Sequence, residues 1–281
     1  MEFFLNKFIW LRYVSLVSFA VSTVVYLVGI RPQAIHRKHS RLQDLGDLTF
    51  WVATIALGIG VFGSYSGSLW TSEGGSLLVF SLGVLGILLK RQTKSQSFGV
   101  FIAPIATLIL LLQFFFVRSQ ESWAVPHTWT GVLSGIHVLF AALGQGLAIY
   151  AFLLGMMYLQ RQASLKNKQL LRLTMGQLPA LDRLESALSL ALTVGFVCMT
   201  ISLATGTIYV KSLEIPITGV LSLKVIWAIC VWLVYLICLI QLRWFEKPIR
   251  NVSVWSVVGF LILTMAFFGL GFFRDFGGLH R

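Results

Sequence analysis

Eight runs of apolar residues, at roughly 9–30, 49–68, 75–89, 98–117, 129–159, 187–210, 219–242 and 252–273, divide this chain into segments that each span or nearly span a bilayer. A helix crossing the hydrocarbon layer needs about 20 apolar residues, and inside lipid only helices and closed barrels satisfy their own backbone groups. The chain therefore reads as an all-α integral membrane protein, a bundle of about eight transmembrane helices forming a single polytopic membrane domain over 1–281. Charged residues make up only 11% of it, too few for a soluble domain of this length. The third run is the weakest, since Gly74 and Gly75 precede it and Lys90 closes it after about 15 apolar residues. The first is too long for a signal-peptide core and has no A-x-A site before its basic exit, so it is read as a retained helix.

Charge then orients the bundle. The net charge of +12 sits in the short connections: Arg31, Arg37, Lys38 and Arg41 after the first run, Lys90, Arg91 and Lys94 after the third, Arg161, Lys166, Lys168, Arg172 and Arg183 after the fifth, and Arg243, Lys247 and Arg250 after the seventh. The alternate connections carry only Glu73, then Arg118 and Glu121, then Lys211 and Glu214. Positive charge marks cytoplasmic loops, which predicts both termini on the outer (periplasmic) side. The same distribution argues against nucleic acid as the partner, because the basic residues flank apolar spans instead of forming one patch. Gln160 to Glu185 is the longest polar connection; Leu165, Leu170, Leu171 and Leu173 within it predict an amphipathic stretch at the cytoplasmic interface, ended by Pro179. Cys198, Cys230 and Cys238 all lie in apolar runs without a CxxC spacing, which leaves no disulfide framework or thiol redox motif.

The run from Trp129 to Leu159 is the one long apolar helix with a histidine partway along it. Counting about 20 residues back from Leu159 puts the hydrocarbon boundary near residue 139, so His137 falls at the outer interface. Ser134, His137, Ala141, Gly144, Gln145 and Ala148 share one face through spacings of three and four, and a face of small and polar residues predicts a packed bundle interior. His280, beyond the eighth run, lands on the same outer side. Neutral imidazole is a common axial ligand of haem iron, and two of them facing each other across a cleft make a bis-histidine site; hydrogen bonding at the interface is the plainer role. His36 and His39 sit in the basic segment IHRKHSR and read as part of a solvated cationic face. His127, in AVPHTW, either caps the fifth helix or supports a nearby ligand.

Thr193, Thr200 and Thr207 recur by sevens on the sixth helix, a spacing that serves helix packing or bonds to the helix's own backbone. Lys224, early in the seventh, is either a functional ionisable group or a side chain snorkelling to the outer interface; with the threonine face it would line the path of a transporter. Trp70, Trp123, Trp129, Trp244 and Trp255 lie near helix ends, as aromatic belts do. No Walker sequence, HExxH, GxSxG or EF-hand loop is present, and few carboxylates are available for a proton relay, which argues against an energy-coupled pump.

Over residues 129–281 the chain resembles the cytochrome c assembly protein family, the CcsA, ResC and CcmC group of haem-handling membrane proteins, and within it the HemX and YpjD-like branch. The resemblance is carried by IHVLFAALGQGLAIYAFLLGMMYLQ at 136–160 with SLKNKQL after it, LPALDRLESALSLALTVGFVCMTISLATGTIY at 178–209, KVIWAICVWLVYLICLIQLR at 224–243 and GFLILTMAFFGLGFFRDFGGLH at 259–280. It implies a core over 129–281 with accessory helices over 1–128, a bacterial inner (plasma) membrane location, and haem held non-covalently between two outer-face histidines, whose positions correspond to His137 and His280. It further implies partners among the bilayer, haem, other cytochrome c assembly proteins or, for HemX-type members, a cytosolic haem-synthesis enzyme met through the basic loops. Full haem-lyase members carry a tryptophan-rich outer segment ending in Trp-Asp-Pro-Lys-Glu. Here VKSLEIPITGVLSLK keeps only Lys224, with Trp227 and Trp232 following, and Ile240 or Gln241 stands where the full synthetases have a histidine. The expectation is an accessory protein, not an enzyme with a complete lyase motif.

Overall fold

The computed structural model describes residues 2–29, 36–63, 74–93, 98–116, 129–166, 179–213, 220–243 and 249–276. Eight helices account for nearly all of them: α1 (Glu2–Gly29), α2 (His36–Gly63), α3 (Gly74–Thr93), α4 (Phe98–Phe116), α5 (Trp129–Lys166), α6 (Leu181–Ser212), α7 (Val220–Arg243) and α8 (Ile249–Phe276). The described residues include no strand. Among the described residues six of the helices are long and apolar enough to cross a membrane, and in α4 and α8 the fully described apolar stretches are Gly99–Phe114 and Ile249–Leu263. The all-helical membrane architecture read from the apolar runs is therefore the architecture of the molecule, and the doubtful third run forms a helix whose Ser76, Leu77, Leu78 and Val79 are all buried.

Helix ends and apolar ends do not coincide. The basic HRKHSR stretch is the opening of α2, about a dozen residues before the apolar run begins. At the other side, α5 continues to Lys166 and α6 starts at Leu181, so both ends of the connection read from Gln160 to Glu185 belong to spanning helices, while 167–178 lie outside the described residues. Leu165 is an exposed residue of α5, while Leu170, Leu171 and Leu173 lie outside the described residues. Pro179 is buried just ahead of Ala180, whose extended backbone (φ −60°, ψ 148°) opens α6, with Asp182 in the first turn where a negative charge suits the helix dipole; the stretch it was expected to end lies outside the described residues. The physical reason is that apolar residues stop at the edge of the hydrocarbon, whereas backbone hydrogen bonds continue into water at little cost.

Packing puts α5 at the centre. It forms its most extensive seam with α6 and also packs on α8 and α3, and α1 packs on α2 and α4. Residues 146–151 of α5 are buried without a break, so the single small-and-polar face expected from the sequence is one part of a helix enclosed on several sides. Side chains that bond to a neighbour's backbone stitch these seams, as is usual where lipid offers no hydrophobic contrast. Tyr150 Oη donates to the Leu82 carbonyl at 2.7 Å and Ser81 Oγ to the Ala142 carbonyl at 3.0 Å, tying α3 to α5. Ser15 Oγ and Ser22 Oγ donate to Ala53 O and Gly46 O across α1 and α2.

The helices alternate in direction. Near one end the end of α1, the start of α2, the end of α3 and the start of α4 meet through Tyr26, Asp47, Lys90 and Gly99. Towards the same end, Gly155 of α5 meets Ser253 and Ser256 of α8. At the other end Tyr13 of α1 stacks edge-on against Phe114 of α4, and Ser76 Oγ donates to Gln113 Oε1. His137 lies towards this second end, opposite the basic connections.

Candidate functional site

His137 sits in the third turn of α5 and faces α6. Its Nδ1 is 2.7 Å from the Ser202 carbonyl oxygen. A carbonyl can only accept, so Nδ1 carries the proton and donates, and in the neutral ring Nε2 keeps its lone pair. Ser202 Oγ lies 3.2 Å from Nδ1 and, on the other side, donates to the His137 carbonyl at 3.2 Å, so one buried serine grips the histidine by ring and backbone together. Thr205 Oγ1 also donates to the Ser202 carbonyl, at 3.1 Å, which makes that oxygen a shared acceptor. No bond is formed to Nε2 within the described residues.

The ring reaches the α6 backbone because position 206 has no side chain. A Cβ on Gly206 would stand 2.7 Å from both Cε1 and Nδ1 of His137. Lower on the same seam Gly144 admits Met199, with an added Cβ 2.9 Å from its Cγ, and Gly195 admits Leu147 at 3.1 Å from its Cβ. Small residues on both helices thus let the backbones approach, and the histidine occupies the part of that close seam away from the basic connections. The result is a half-buried imidazole whose Nδ1 is engaged by a backbone carbonyl and whose Nε2 has no partner among the described residues.

The adjoining part of α7 is more open than its inner half. Ile226, Ala228, Ile229 and Cys230 are exposed, whereas Val231, Val234, Tyr235 and Cys238 are buried. Trp232, singled out in the sequence, braces α7 on α6: its Nε1 donates to Thr200 Oγ1 at 2.9 Å and its ring lies 5.2 Å from that of Phe196. Among the described residues no three His, Cys, Asp or Glu side chains converge as a metal cluster.

His280 and His127 lie outside the described residues. His36 and His39 are on the opening turns of α2 and Lys224 is on the first turns of α7, and their side chains lie outside the described part. Thr193, Thr200 and Thr207 each donate to the carbonyl four residues back, Ser189, Phe196 and Leu203, all at 2.8 Å, which is the backbone-bonding role expected of such threonines. The residues that hold His137 were not singled out. Ser202 and Gly206, with Gly195 two turns earlier on the same seam, carry a signal of their own, small residues spaced by seven and then four, Gly195 and Ser202 each two positions along from a threonine and so on nearly the opposite face of α6.

The family described as Cytochrome C assembly protein matches residues 72–276, from just before α3 to the end of α8. No curated protein matches the chain. The family match takes in well over half of the molecule and the whole of the α5–α6 seam that holds His137, and on that ground the chain belongs to the cytochrome c assembly protein family.

Proposed function

We propose that the protein is a multi-pass membrane accessory protein of cytochrome c-type biogenesis that binds haem non-covalently, with His137 and His280 as the two axial ligands on the outer face. Family membership supports the role in cytochrome c assembly. The observation that carries the haem reading is the bond from His137 Nδ1 to the Ser202 carbonyl: a ligating imidazole needs its other nitrogen engaged by an acceptor, which fixes the tautomer and the ring plane. When bound, haem would supply an iron centre that imidazole nitrogens can ligate. The chain's part is to present Nε2 of His137 in its unprotonated form, to keep the ring against α6 through Gly206, and to leave the neighbouring stretch of α7 uncovered. No covalent chemistry is assigned to the chain, whose segment before Lys224 lacks the tryptophan-rich pattern of a complete lyase.

The test is an absorption spectrum, oxidised and reduced, of detergent-purified protein from cells supplied with ample haem. The expected result is a Soret band with the sharp reduced bands of two axial imidazoles, lost or converted to a high-spin form in His137→Ala and in His280→Ala. A preparation without a Soret band, or variants whose spectra match the parent's, would overturn the reading.

A second reading, regulation of a cytosolic tetrapyrrole-synthesis enzyme in the HemX manner, is favoured by the exposed Lys166, Arg183, Arg243 and Arg250 at the basic end of the bundle. Deleting 167–178, which spares both α5 and α6, separates the two. Loss of a cytosolic partner with the haem spectrum intact supports regulation.

A further inference from the structure

We infer that α6 is the positioning element for His137: the main-chain carbonyl of Ser202 chooses which ring nitrogen is protonated, and the bare backbone at Gly206 sets where the other nitrogen stands. The inference deepens the haem reading and rests on it for its ligand, but its central statement concerns the ring alone and holds for the ligand-free protein.

Three observations combine. First, the 2.7 Å approach of Nδ1 to the Ser202 carbonyl is the shortest of the three polar contacts between these residues, and its acceptor is part of the helix backbone. An acceptor of that kind cannot rotate away or reverse its polarity as a hydroxyl can. Second, a Cβ at 206 would overlap Cε1 and Nδ1 at 2.7 Å, and both are atoms of a rigid ring whose own backbone is pinned by Ser202 Oγ. The ring has no slack, so a methyl group there would displace it and break the Nδ1 bond. Third, the same seam is closed independently at Gly195 and Gly144, about two turns from the histidine and from Ser202. The spacing of the two backbones does not hang on position 206 alone, and so the role of Gly206 is local to the imidazole.

Ser202 and Gly206 are thus positioning residues. They touch the histidine and act on any ligand through it. A carbonyl partner also raises the basicity of the ligating nitrogen, and losing such a partner typically weakens metal binding about 10- to 100-fold.

The experiment has two arms. In ligand-free protein labelled with ¹⁵N-histidine, the His137 signals, assigned by their absence from His137→Ala, report the tautomer directly. The expected result is a protonated Nδ1 in the parent, in Ser202→Ala and in Gly195→Ala, and a mixed or reversed tautomer in Gly206→Ala. In haem-loaded protein, Gly206→Ala is expected to lose the low-spin spectrum and to regain it when imidazole is added, whereas Thr207→Ala, one residue away on the exposed face, keeps it. A parent with Nε2 protonated, or a reversed tautomer in Ser202→Ala, would overturn the assignment to the carbonyl. A Gly206→Ala protein that keeps both tautomer and spectrum would overturn the role of position 206. Failure of the parent to take up haem would count against the proposed function while leaving the ¹⁵N arm to decide this inference, and that arm still decides on the parent and Ser202→Ala where Gly206→Ala does not fold.

Discussion

Two aromatic rings, one towards each end of the bundle, are held by the same device and differ in what they have left over. At the basic end Tyr26 lies against Gly46 and Gly99, where an added Cβ would run into its ring, just as His137 lies against Gly206 at the other end. Tyr26 Oη donates to Asp47 Oδ1 at 2.5 Å, and Lys90 Nζ takes the second carboxylate oxygen. Every polar atom of that cluster's centre is used. His137 instead spends Nδ1 on Ser202, and its Nε2 has no partner among the described residues. A clamped ring with nothing to offer is part of the frame, whereas a clamped ring with a nitrogen left over is what the proposed ligand role requires. The location fits the difference. Tyr26 and Asp47 belong to α1 and α2, ahead of the family match, and Lys90 and Gly99 lie within it, so the basic-end cluster joins the two parts.

Substitutions at the two ends should therefore dissociate stability from ligand binding. The largest loss of stability is expected from Gly99→Ala, because the Tyr26 ring it meets is fixed on its far side by Gly46 and at its tip by Asp47; overpacking of this sort costs up to about 3 kcal/mol. Thermal unfolding in detergent should show it, with the haem spectrum of the surviving folded protein unchanged. Asp47→Ala comes next. It strands both Tyr26 Oη and Lys90 Nζ, but the ion pair is partly exposed, with Asp47 at 28% and Lys90 at 31% side-chain exposure, which holds the expected loss to about 1–2 kcal/mol. The smallest effect is expected from His137→Ala in the ligand-free protein, about 1 kcal/mol or less, since the half-buried ring gives up one bond to a carbonyl that Thr205 still satisfies. That variant should unfold almost where the parent does and yet lose the spectrum. Equal destabilisation by Asp47→Ala and His137→Ala would erase the distinction drawn between the two ends.

Much of this was legible in the residues. The apolar runs of about 20 residues mark the helices, and the alternation of basic and charge-poor connections matches the alternation of helix directions in the structure. The position of His137 near the charge-poor end follows from counting along α5. Less legible was which faces pack. The heptad of threonines on α6 stood out by chemistry, yet Thr200 and Thr207 are exposed and bond to their own helix, while the seam uses Gly195, Ser202 and Gly206. In water a buried face announces itself by being apolar; in lipid both faces are, and small size is the only local mark.

From its sequence alone this chain is committed to being a helical membrane bundle with a histidine near one rim, because transfer of each residue between water and hydrocarbon is a property of that residue. What that histidine can do was settled only by folding. The partner of Nδ1 is a backbone carbonyl 65 residues away, and since every residue has a carbonyl, no letter of the sequence singles out the one that α6 brings within reach.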